Sequence, residues 1–392
     1  MTDFDLIIVG GGPAGTAAAL EAASEGLSVA IVDKDKFPRE KCCGDGLTTS
    51  ALAHLHDLGL DLSSLPSFLP TTSIELRSPK GRHHHYELSP PGHAAVVRRF
   101  ELDAALVDLA RSAGVTVLEQ HPIEAVEAGP LDVVIKAGGL SMSTSFLIAA
   151  DGMWSPTRRL VEGARKQRYL GEWHAFRQYF RGAPSTSLNR MAVWFEPDLL
   201  PGYAWAFPLA DGSLNVGFGI RRGNNMSTQA MKRIWPELLQ RQHIVDMLGP
   251  ESEPEAPHRA WPIPAQLGRR SLTRGRVFFV GDAAASTDPM TGEGIGQALE
   301  TGRLAAHAIT TSRSASEASA CYRRSITKGM VRDHRLAAGL SRLLANQTVT
   351  ESALALTSST AWSSHHFALW LFEAYPRATV FNPYRWHDKV RL

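Results

Sequence analysis

The sequence predicts a two-domain α/β protein with a helical C-terminal region. Three observations support this prediction. A strand, a Gly-rich turn, a helix and a second strand open the chain, the middle alternates apolar and polar residues, and the end follows a helical apolar pattern. A chain of 392 residues also exceeds what one typical hydrophobic core holds, so two closely packed domains are expected.

The first of these elements is the segment "DLIIVGGGPAGTAAALEAASEGLSVAIVDKD". Residues 6–9 form a continuous apolar run, which is typical of a buried parallel strand. An Ala-rich helix is expected to follow Gly15 and to end near Glu25, because Gly26 comes next and suits a helix C-terminus. A second apolar run at 27–32 predicts the next strand.

The turn between that strand and that helix carries the G-x-G-x-x-G spacing of a dinucleotide site. Gly10 makes the tight turn, Gly12 lets a pyrophosphate approach the backbone, and Gly15 lets the helix pack on the strand. The helix N-terminus then presents free N–H groups to the phosphates. Asp33 ends the second strand, where it can accept hydrogen bonds from a ribose. The dinucleotide-binding residues expected in this segment are Gly10, Gly12, Pro13, Ala14, Gly15, Asp33 and Lys34.

The composition argues against several classes of protein. A formal net charge of +2 gives no indication of a nucleic-acid partner. Three cysteines cannot build a disulfide framework, and no Cys/His cluster predicts a metal site. The N-terminus lacks the features of a signal peptide, and no apolar run is long enough to span a bilayer. A cytoplasmic protein is therefore expected, and a peripheral membrane contact is left open.

Two later motifs indicate FAD as the dinucleotide. "FLIAADGMWSPTRR" places Asp151 after an apolar strand, and "RVFFVGDAAASTDPMTGEGIGQALETG" places Asp282 after another. Both resemble fingerprints of flavoproteins with the para-hydroxybenzoate hydroxylase type of FAD-binding fold. The resemblance implies that Asp282 bonds the ribityl or pyrophosphate part of non-covalently bound FAD. It also implies that the "GEGIG" helix directs its N-terminus at the flavin carbonyl at C2, where the reduced ring carries negative charge. The cofactor contacts implied here are Asp151, Gly152, Gly281, Asp282, Pro289, Gly292, Gly294 and Ile295.

A further segment, "VVRRFELDAALVDLARSAGV", adds an arginine to the expected site. Its pattern resembles the segment where these flavoproteins place an arginine near the flavin chain. Arg99 is preferred on spacing, and Arg98 is the competing candidate because both begin the same helix.

The middle of the chain is expected to bind the substrate. The segments "WHAFRQYFRG", "MAVWFEPDLLPGYAWAFPLADGSLNVGFGI" and "TSIELRSPKGRHHHYELSP" alternate in polarity, which predicts antiparallel strands. In the last segment, His83, His84 and His85 are consecutive, so in a strand they point to opposite faces and cannot chelate one metal ion together.

The loop "FPREKCCGDGL" carries the most specific resemblance. With "GYAWAFP", it is similar to the geranylgeranyl reductase family of flavoproteins, which carry Lys-x-Cys-Gly-x-Gly and Pro-x-x-Tyr-x-Trp-x-Phe-Pro stretches. Cys43 aligns with the family cysteine, whereas Leu200 departs from the second stretch because the proline stands at Pro201. Within the family, "FPREKCCGDGLTTSALAHLHDLGL" most resembles the actinobacterial menaquinone reductases. The resemblance adds Lys41, Cys43, Gly44 and Arg99 to the cofactor contacts, assigns catalysis to Cys43, Tyr203 and Trp205, and assigns substrate contacts to Tyr203, Trp205 and Phe207.

The function implied by this resemblance is reduction of carbon–carbon double bonds in a prenyl chain, of the geranylgeranyl or menaquinone type. The alternative is an FAD-dependent monooxygenase or a related tailoring enzyme of natural-product biosynthesis. Ala285 stands where aromatic hydroxylases of this fold usually carry histidine, which favours the reductase. A prenyl-binding protein without activity is a further alternative, although it need not keep the FAD motifs. No second nucleotide motif follows a strand, so electrons are expected from transiently bound NAD(P)H or from an electron-donor protein such as reduced ferredoxin.

These segments divide the chain into three regions. The C-terminal region is expected to be helical. It could close a substrate tunnel for a hydrophobic small molecule or lipid, rest on a membrane, or simply pack on the body of the protein, and packing is favoured over membrane contact. The expected FAD-binding domain comprises 1–70, 94–165 and 268–315, the substrate domain 71–93 and 166–267, and the C-terminal helical region 316–392.

Overall fold

A computed structural model describes residues 2–88, 93–163, 171–222 and 228–377 of the chain. Parts of the expected substrate domain and the last residues of the expected C-terminal region therefore lie outside the described residues.

The strands of the described residues, in chain order, are β1 (Phe4–Val9), β2 (Val29–Val32), β3 (Gly46–Thr48), β4 (Leu69–Pro70), β5 (Ser73–Arg77), β6 (His83–Glu87), β7 (Ala94–Val96), β8 (Thr116–Leu118), β9 (Ile123–Ala128), β10 (Val133–Ala137), β11 (Leu140–Ala149), β12 (Gly171–Arg181), β13 (Met191–Trp194), β14 (Tyr203–Pro208), β15 (Leu214–Arg221), β16 (Glu253–Pro254), β17 (Arg259–Pro264), β18 (Thr273–Arg274) and β19 (Val277–Phe279). The helices are α1 (Pro13–Ser24), α2 (Thr49–Asp57), α3 (Arg99–Ser112), α4 (Pro156–Glu162), α5 (Thr228–Leu239), α6 (Gln242–Leu248), α7 (Ile295–Thr311), α8 (Ala315–Lys328), α9 (Met330–Leu343), α10 (Gln347–Thr357) and α11 (Ala361–Leu371).

The first sheet has the strand order β18-β19-β11-β1-β2-β8, with β10 and β9 attached through β11. Its central strands β19, β11, β1, β2 and β8 are parallel, as the continuous apolar runs predict. Helix α1 begins at Pro13, slightly earlier than expected, because proline suits the first helical position. Small residues let α1 pack closely on α7: a Cβ on Gly302 would lie 2.1 Å from the Ala14 carbonyl oxygen.

The second sheet confirms the antiparallel strands expected from the alternating segments. Its order is β16-β12-β15-β14-β13-β5-β6, with β17 paired to β12. All of its pairings are antiparallel except the parallel pairing of β13 with β5. In β6, His84 is buried while His83 and His85 are exposed, which places them on opposite faces. A small third sheet of β3, β7 and β4 carries the chain between the two large sheets.

The C-terminal residues form helices that pack on both large sheets: α8 and the start of α9 pack on the first sheet, and α10 and α11 pack on the second. Helices α8 and α9 meet at Gly329, and α10 and α11 follow. Tyr86 of β6 bonds the Thr357 hydroxyl at 2.9 Å, and its ring lies 5.0 Å from that of Phe367 on α11. Helices α10 and α11 therefore close one side of the second sheet. Among the residues with described structure, no helix is long and apolar enough to cross a membrane.

Candidate active site

One continuous cavity of about 1760 Å³ runs between the first and second sheets. We call its part near β1, β2 and the "KCCGDG" loop the cofactor cleft. We call its other part, lined by Leu76, Val193, Trp205, Leu354, Phe367 and Leu371, the apolar chamber. Nearly every site residue expected from the sequence lines this cavity; those that do are Gly10, Gly12, Pro13, Ala14, Asp33, Lys34, Lys41, Cys43, Gly44, Arg99, Asp151, Gly152, Tyr203, Trp205, Phe207, Gly281, Asp282, Gly292, Gly294 and Ile295.

Two expected residues do not line the cavity. Pro289 is buried away from it. Gly15 acts in packing instead, since a Cβ there would lie 1.9 Å from the Gly10 carbonyl oxygen. This fits the role expected for the third glycine, which is to bring helix and strand together.

The N-terminus of α1 fits an anionic pyrophosphate. No side chain caps this helix end, and no acidic residue lies in its first turn, so its N–H groups face the cleft. A Cβ on Gly12 would have only the guanidinium groups of Arg39, at 3.5 Å, and Arg99, at 4.0 Å, as close neighbours. Open space, free N–H donors and two cations therefore converge at one point, which is the arrangement that binds phosphate.

Charge pairing distinguishes Arg99 from Arg98. Asp103 on α3 accepts two bonds from Arg99, at 2.6 and 2.7 Å, and lies 3.1 Å from the Arg39 guanidinium. One carboxylate shared by two guanidinium groups leaves a net positive charge on the cluster of Arg39, Arg99 and Asp103. Arg98 instead binds Glu255, at 2.7 Å, and does not line the cavity. Of the two arginines, Arg99 therefore lines the cofactor cleft and Arg98 does not.

Asp33 is buried at the end of β2. Its carboxylate accepts hydrogen bonds from the Gly11 N–H at 2.6 Å and from the Asp35 N–H at 2.9 Å, which tie the first Gly-rich turn to the second strand. Lys34 is exposed beside it and pairs with Asp35 at 3.3 Å.

The second and third sequence motifs are joined by a buried arginine. Asp151 accepts bonds from the Ser155 hydroxyl at 2.5 Å and the Thr157 N–H at 2.8 Å, and burial raises the pKa of its carboxyl. Arg158, in α4, donates two bonds to the Ala283 carbonyl at 2.9 and 3.1 Å. Asp151 therefore orders the start of α4, and Arg158 holds the two motifs together below the cleft.

Lys41 spans the cleft towards the third motif. Its Nζ lies 3.9 Å from the Asp282 carboxylate and 4.0 Å from the centre of the Trp261 ring. Burial lowers the pKa of the Lys41 ammonium, and the Asp282 charge opposes that shift. This pair lies where the resemblance places the ribityl or pyrophosphate part of FAD.

The N-terminus of α7 differs from expectation. The Glu293 carboxylate accepts both the Ile295 and the Gly296 N–H, each at 2.8 Å, so these donors bind a side chain of their own loop. The expectation that they face a flavin carbonyl overlooked this capping carboxylate. Burial, together with the nearby charges of Glu373 and Asp288, raises the pKa of the Glu293 carboxyl to about 8 against the opposing effect of the two backbone donors.

The paired cysteines have different surroundings. Cys43 lines the cavity, its Sγ accepts the Asp45 N–H at 3.3 Å, and burial raises the pKa of its thiol to about 11 against the effect of the Arg99 charge. Cys42 also lines the cavity, but its S–H donates to the Arg259 carbonyl at 3.7 Å. At neutral pH Cys43 is thus a thiol that keeps its proton.

A buried polar network fixes this loop against the second sheet. Asp45 has a left-handed backbone, with φ of 66°, and its carboxylate accepts bonds from the Tyr179 hydroxyl and, at 2.8 Å, from the Asn215 amide. The Asn215 amide also reaches the Cys43 carbonyl at 2.9 Å, and its oxygen accepts the Trp205 indole N–H at 3.1 Å. Burial raises the pKa of the Asp45 carboxyl. The network therefore orients the cysteine loop and Trp205 together.

The three aromatic residues expected to contact substrate lie on one face of β14. Trp205 lies between Tyr203 and Phe207, with ring centres 6.0 and 6.2 Å apart. The Tyr203 hydroxyl donates to the Thr291 carbonyl, which anchors β14 to the loop before α7. These rings form the wall where the cofactor cleft becomes the apolar chamber.

Several site residues were not expected from the sequence. Arg39 stands in the quoted loop and could have been noticed as a second cation near the phosphates. Tyr179 and Asn215 carry no motif, because their partner Asp45 is 134 and 170 residues away along the chain. Glu293 stood inside a recognised motif, but nothing in its spacing indicates that its carboxylate caps α7.

An uncapped helix N-terminus with two arginines, in a cleft that opens into an apolar chamber, is typical of a dinucleotide-binding protein with a hydrophobic ligand. Residues 3–310 match the family model for an FAD binding domain. The chain is 34% identical over 318 residues to a menaquinone reductase of Mycobacterium tuberculosis, covering 78% of this chain and 76% of that protein. It is 27% identical over 315 residues to digeranylgeranylglycerophospholipid reductase 2 of Methanopyrus kandleri, covering 77% and 76%.

The fold also has a solved counterpart. A geranylgeranyl bacteriochlorophyll reductase-like protein from Thermoplasma acidophilum superposes with a TM-score of 0.79 over 96% of this chain and 98% of that one, at 20% identity. The chain belongs to the geranylgeranyl reductase family of FAD-dependent oxidoreductases.

Substituting Gly12 tests the phosphate site. We expect Gly12→Val to fold and to lose FAD, because the valine methyl groups would occupy the space between Arg39, Arg99 and the α1 N-terminus. Gly339→Val is the matched control, since a Cβ on Gly339 meets no atom within 4 Å and this residue lies on α9. The measurement is the flavin-to-protein absorbance ratio after reconstitution with FAD. Equal flavin content in both variants would show that Gly12 does not border the phosphates.

Replacing Glu293 by glutamine tests the raised pKa of its carboxyl. The native protein holds this group protonated up to about pH 8, whereas the unfolded chain ionises near the ordinary value of 4.5, so its contribution to stability falls as pH rises between those values. The substituted glutamine side chain keeps an acceptor for the two N–H groups and cannot ionise. We expect the melting temperature of Glu293→Gln minus that of the wild type to increase from pH 5 to pH 8 and then to level off. A difference that does not change with pH would contradict the raised pKa.

Proposed function

We propose that this protein uses bound FAD to reduce carbon–carbon double bonds in the prenyl chain of a lipid of the geranylgeranyl or menaquinone type. The observation that carries this proposal is the continuity of the cofactor cleft with the apolar chamber, because a long apolar chain can enter the chamber and reach the flavin end. The names of the relatives, a menaquinone reductase and a digeranylgeranylglycerophospholipid reductase, support the same substrate class.

The residues of the cleft fit FAD in three places. The α1 N-terminus with Arg39 and Arg99 would hold the pyrophosphate, Lys41 and Asp282 would hold the adjoining chain, and Cys43 with Tyr203 would border the ring. Reduced FAD supplies a hydride to one carbon of the double bond, so the protein must supply a proton to the other.

The protein's own contribution is to exclude water, orient the bond and deliver that proton. An isolated alkene is weakly polarised, so orientation by the rings of Tyr203, Trp205 and Phe207 contributes much of the rate. We assign the proton to Cys43, whose pKa of about 11 keeps it protonated at neutral pH, with the Arg99 charge stabilising the thiolate left behind. Glu293, with a pKa of about 8, is the stronger acid and can return a proton to that thiolate.

The proposed reaction is tested with chemically reduced enzyme under strict anaerobiosis. Each reduced double bond should make the prenyl lipid heavier by one H₂, measured by mass spectrometry. A product that gains oxygen, and only in air, would establish the monooxygenase alternative instead. Stopped-flow reduction of the flavin by NAD(P)H and by reduced ferredoxin, in parallel, would identify the class of electron donor.

The two neighbouring cysteines provide a matched pair of variants. Cys43→Ala should retain FAD and lose about 10²–10⁴-fold in single-turnover rate, the range that a proton donor contributes. Cys42→Ala should keep the rate, because the Cys42 thiol, although it also lines the cavity, donates its proton to the Arg259 carbonyl. Rapid-quench measurement of the reduced lipid gives both rates. If the two variants react equally fast, Cys43 is a structural residue of the loop.

A further inference from the structure

The opening of the apolar chamber is bordered by exposed apolar side chains. Leu343 is 58% exposed, Val349 40%, Leu356 71% and Trp362 49%, and all four also line the cavity. We call these four residues the apolar rim. A side chain that is both solvent-exposed and part of the cavity wall stands where the cavity meets the solvent.

Three consecutive helices present the rim to one side of the protein. Leu343 ends α9, Val349 and Leu356 lie on α10, and Trp362 is in the first turn of α11. Val349 and Leu356 are seven residues apart, which is two helical turns, so they share a face. The other side of the same helices carries buried residues, among them Leu354 and Ala368, that pack on the second sheet.

The rim and the chamber interior form one apolar path. Exposing four large apolar side chains around a single opening is unfavourable in water, and such patches mark interaction sites. A water-soluble substrate would gain nothing from this border. An apolar chain leaving a lipid phase would stay in apolar surroundings from the rim to Trp205 at the cleft.

The charges around the rim favour a bilayer with anionic headgroups. Between residues 334 and 372 the only acidic residue is Glu351. It is 6% exposed, and its carboxylate lies 3.5 Å from the Arg82 guanidinium, so it presents no free negative charge at the opening. Arg342 is exposed beside Leu343 and can attract phosphate headgroups.

We propose that the apolar rim inserts into the surface of an anionic phospholipid bilayer, so that the prenyl chain passes directly from the bilayer into the chamber. The identity of the lipid that enters rests on the proposed function, whereas the docking surface itself does not.

The test is flotation of the FAD-loaded full chain with vesicles of phosphatidylglycerol and phosphatidylcholine, with no prenyl substrate added. We expect the wild type to float with the vesicles. We expect Leu356→Asp to weaken binding about tenfold or more, since losing the insertion of one large apolar side chain costs roughly 1.5 kcal/mol or more. Leu131→Asp is the matched control, because Leu131 is 79% exposed, lies between β9 and β10 and does not line the cavity. It should bind as the wild type does.

Each outcome decides the proposal. Equal binding of Leu356→Asp and the wild type would overturn it, and so would a wild type that stays with the unbound fraction. A dimer, seen by light scattering, that Leu356→Asp converts to monomer would show that the rim holds a second copy of the chain and would also overturn the proposal. If Leu356→Asp fails to bind FAD, Leu356→Ser and Trp362→Ser take its place. Because no substrate is present, a failure of the proposed reduction would leave the vesicle result unchanged.

Discussion

The buried carboxylate of Asp45 is the interaction on which the rest of the site depends. It lies in the loop that follows β2, yet its partners Tyr179 and Asn215 belong to β12 and β15 of the second sheet. Cation–π contacts add to these hydrogen bonds, because the guanidinium groups of Arg98 and Arg177 lie 4.2 and 4.1 Å from the centre of the Tyr179 ring. Burying a carboxylate is unfavourable unless its partners are in place. The cysteine loop and the second sheet therefore take their native positions together.

The cavity has three chemical environments, which follow one another from one end to the other. Its first end is cationic, through Arg39 and Arg99 beside an uncapped helix N-terminus. Its centre holds acids of graded strength, the carboxyl of Glu293 and the thiol of Cys43. Its far end is apolar and opens between α9, α10 and α11. A charged cofactor and an uncharged lipid can share one cavity because the polarity falls from one end to the other.

The sequence allowed the local parts of this site to be predicted. The first strand, turn and helix follow from spacing and apolar runs that involve neighbouring residues, and the strands of the second sheet follow from alternation. Contacts between residues that are distant along the chain could not be predicted from the sequence. Arg177 of β12 donates to the Cys43 carbonyl across 134 residues, and no periodic pattern encodes such a pairing. The capping of α7 by Glu293 is local, but it depends on a side-chain conformation that motif spacing does not specify.

The outer wall of the apolar chamber comes from a different stretch of the chain than the cofactor cleft. The FAD-binding family model ends at residue 310, whereas α10 and α11 begin at residues 347 and 361 and pack on the second sheet. The depth of the chamber can therefore vary through these helices while the residues that line the cofactor cleft stay unchanged.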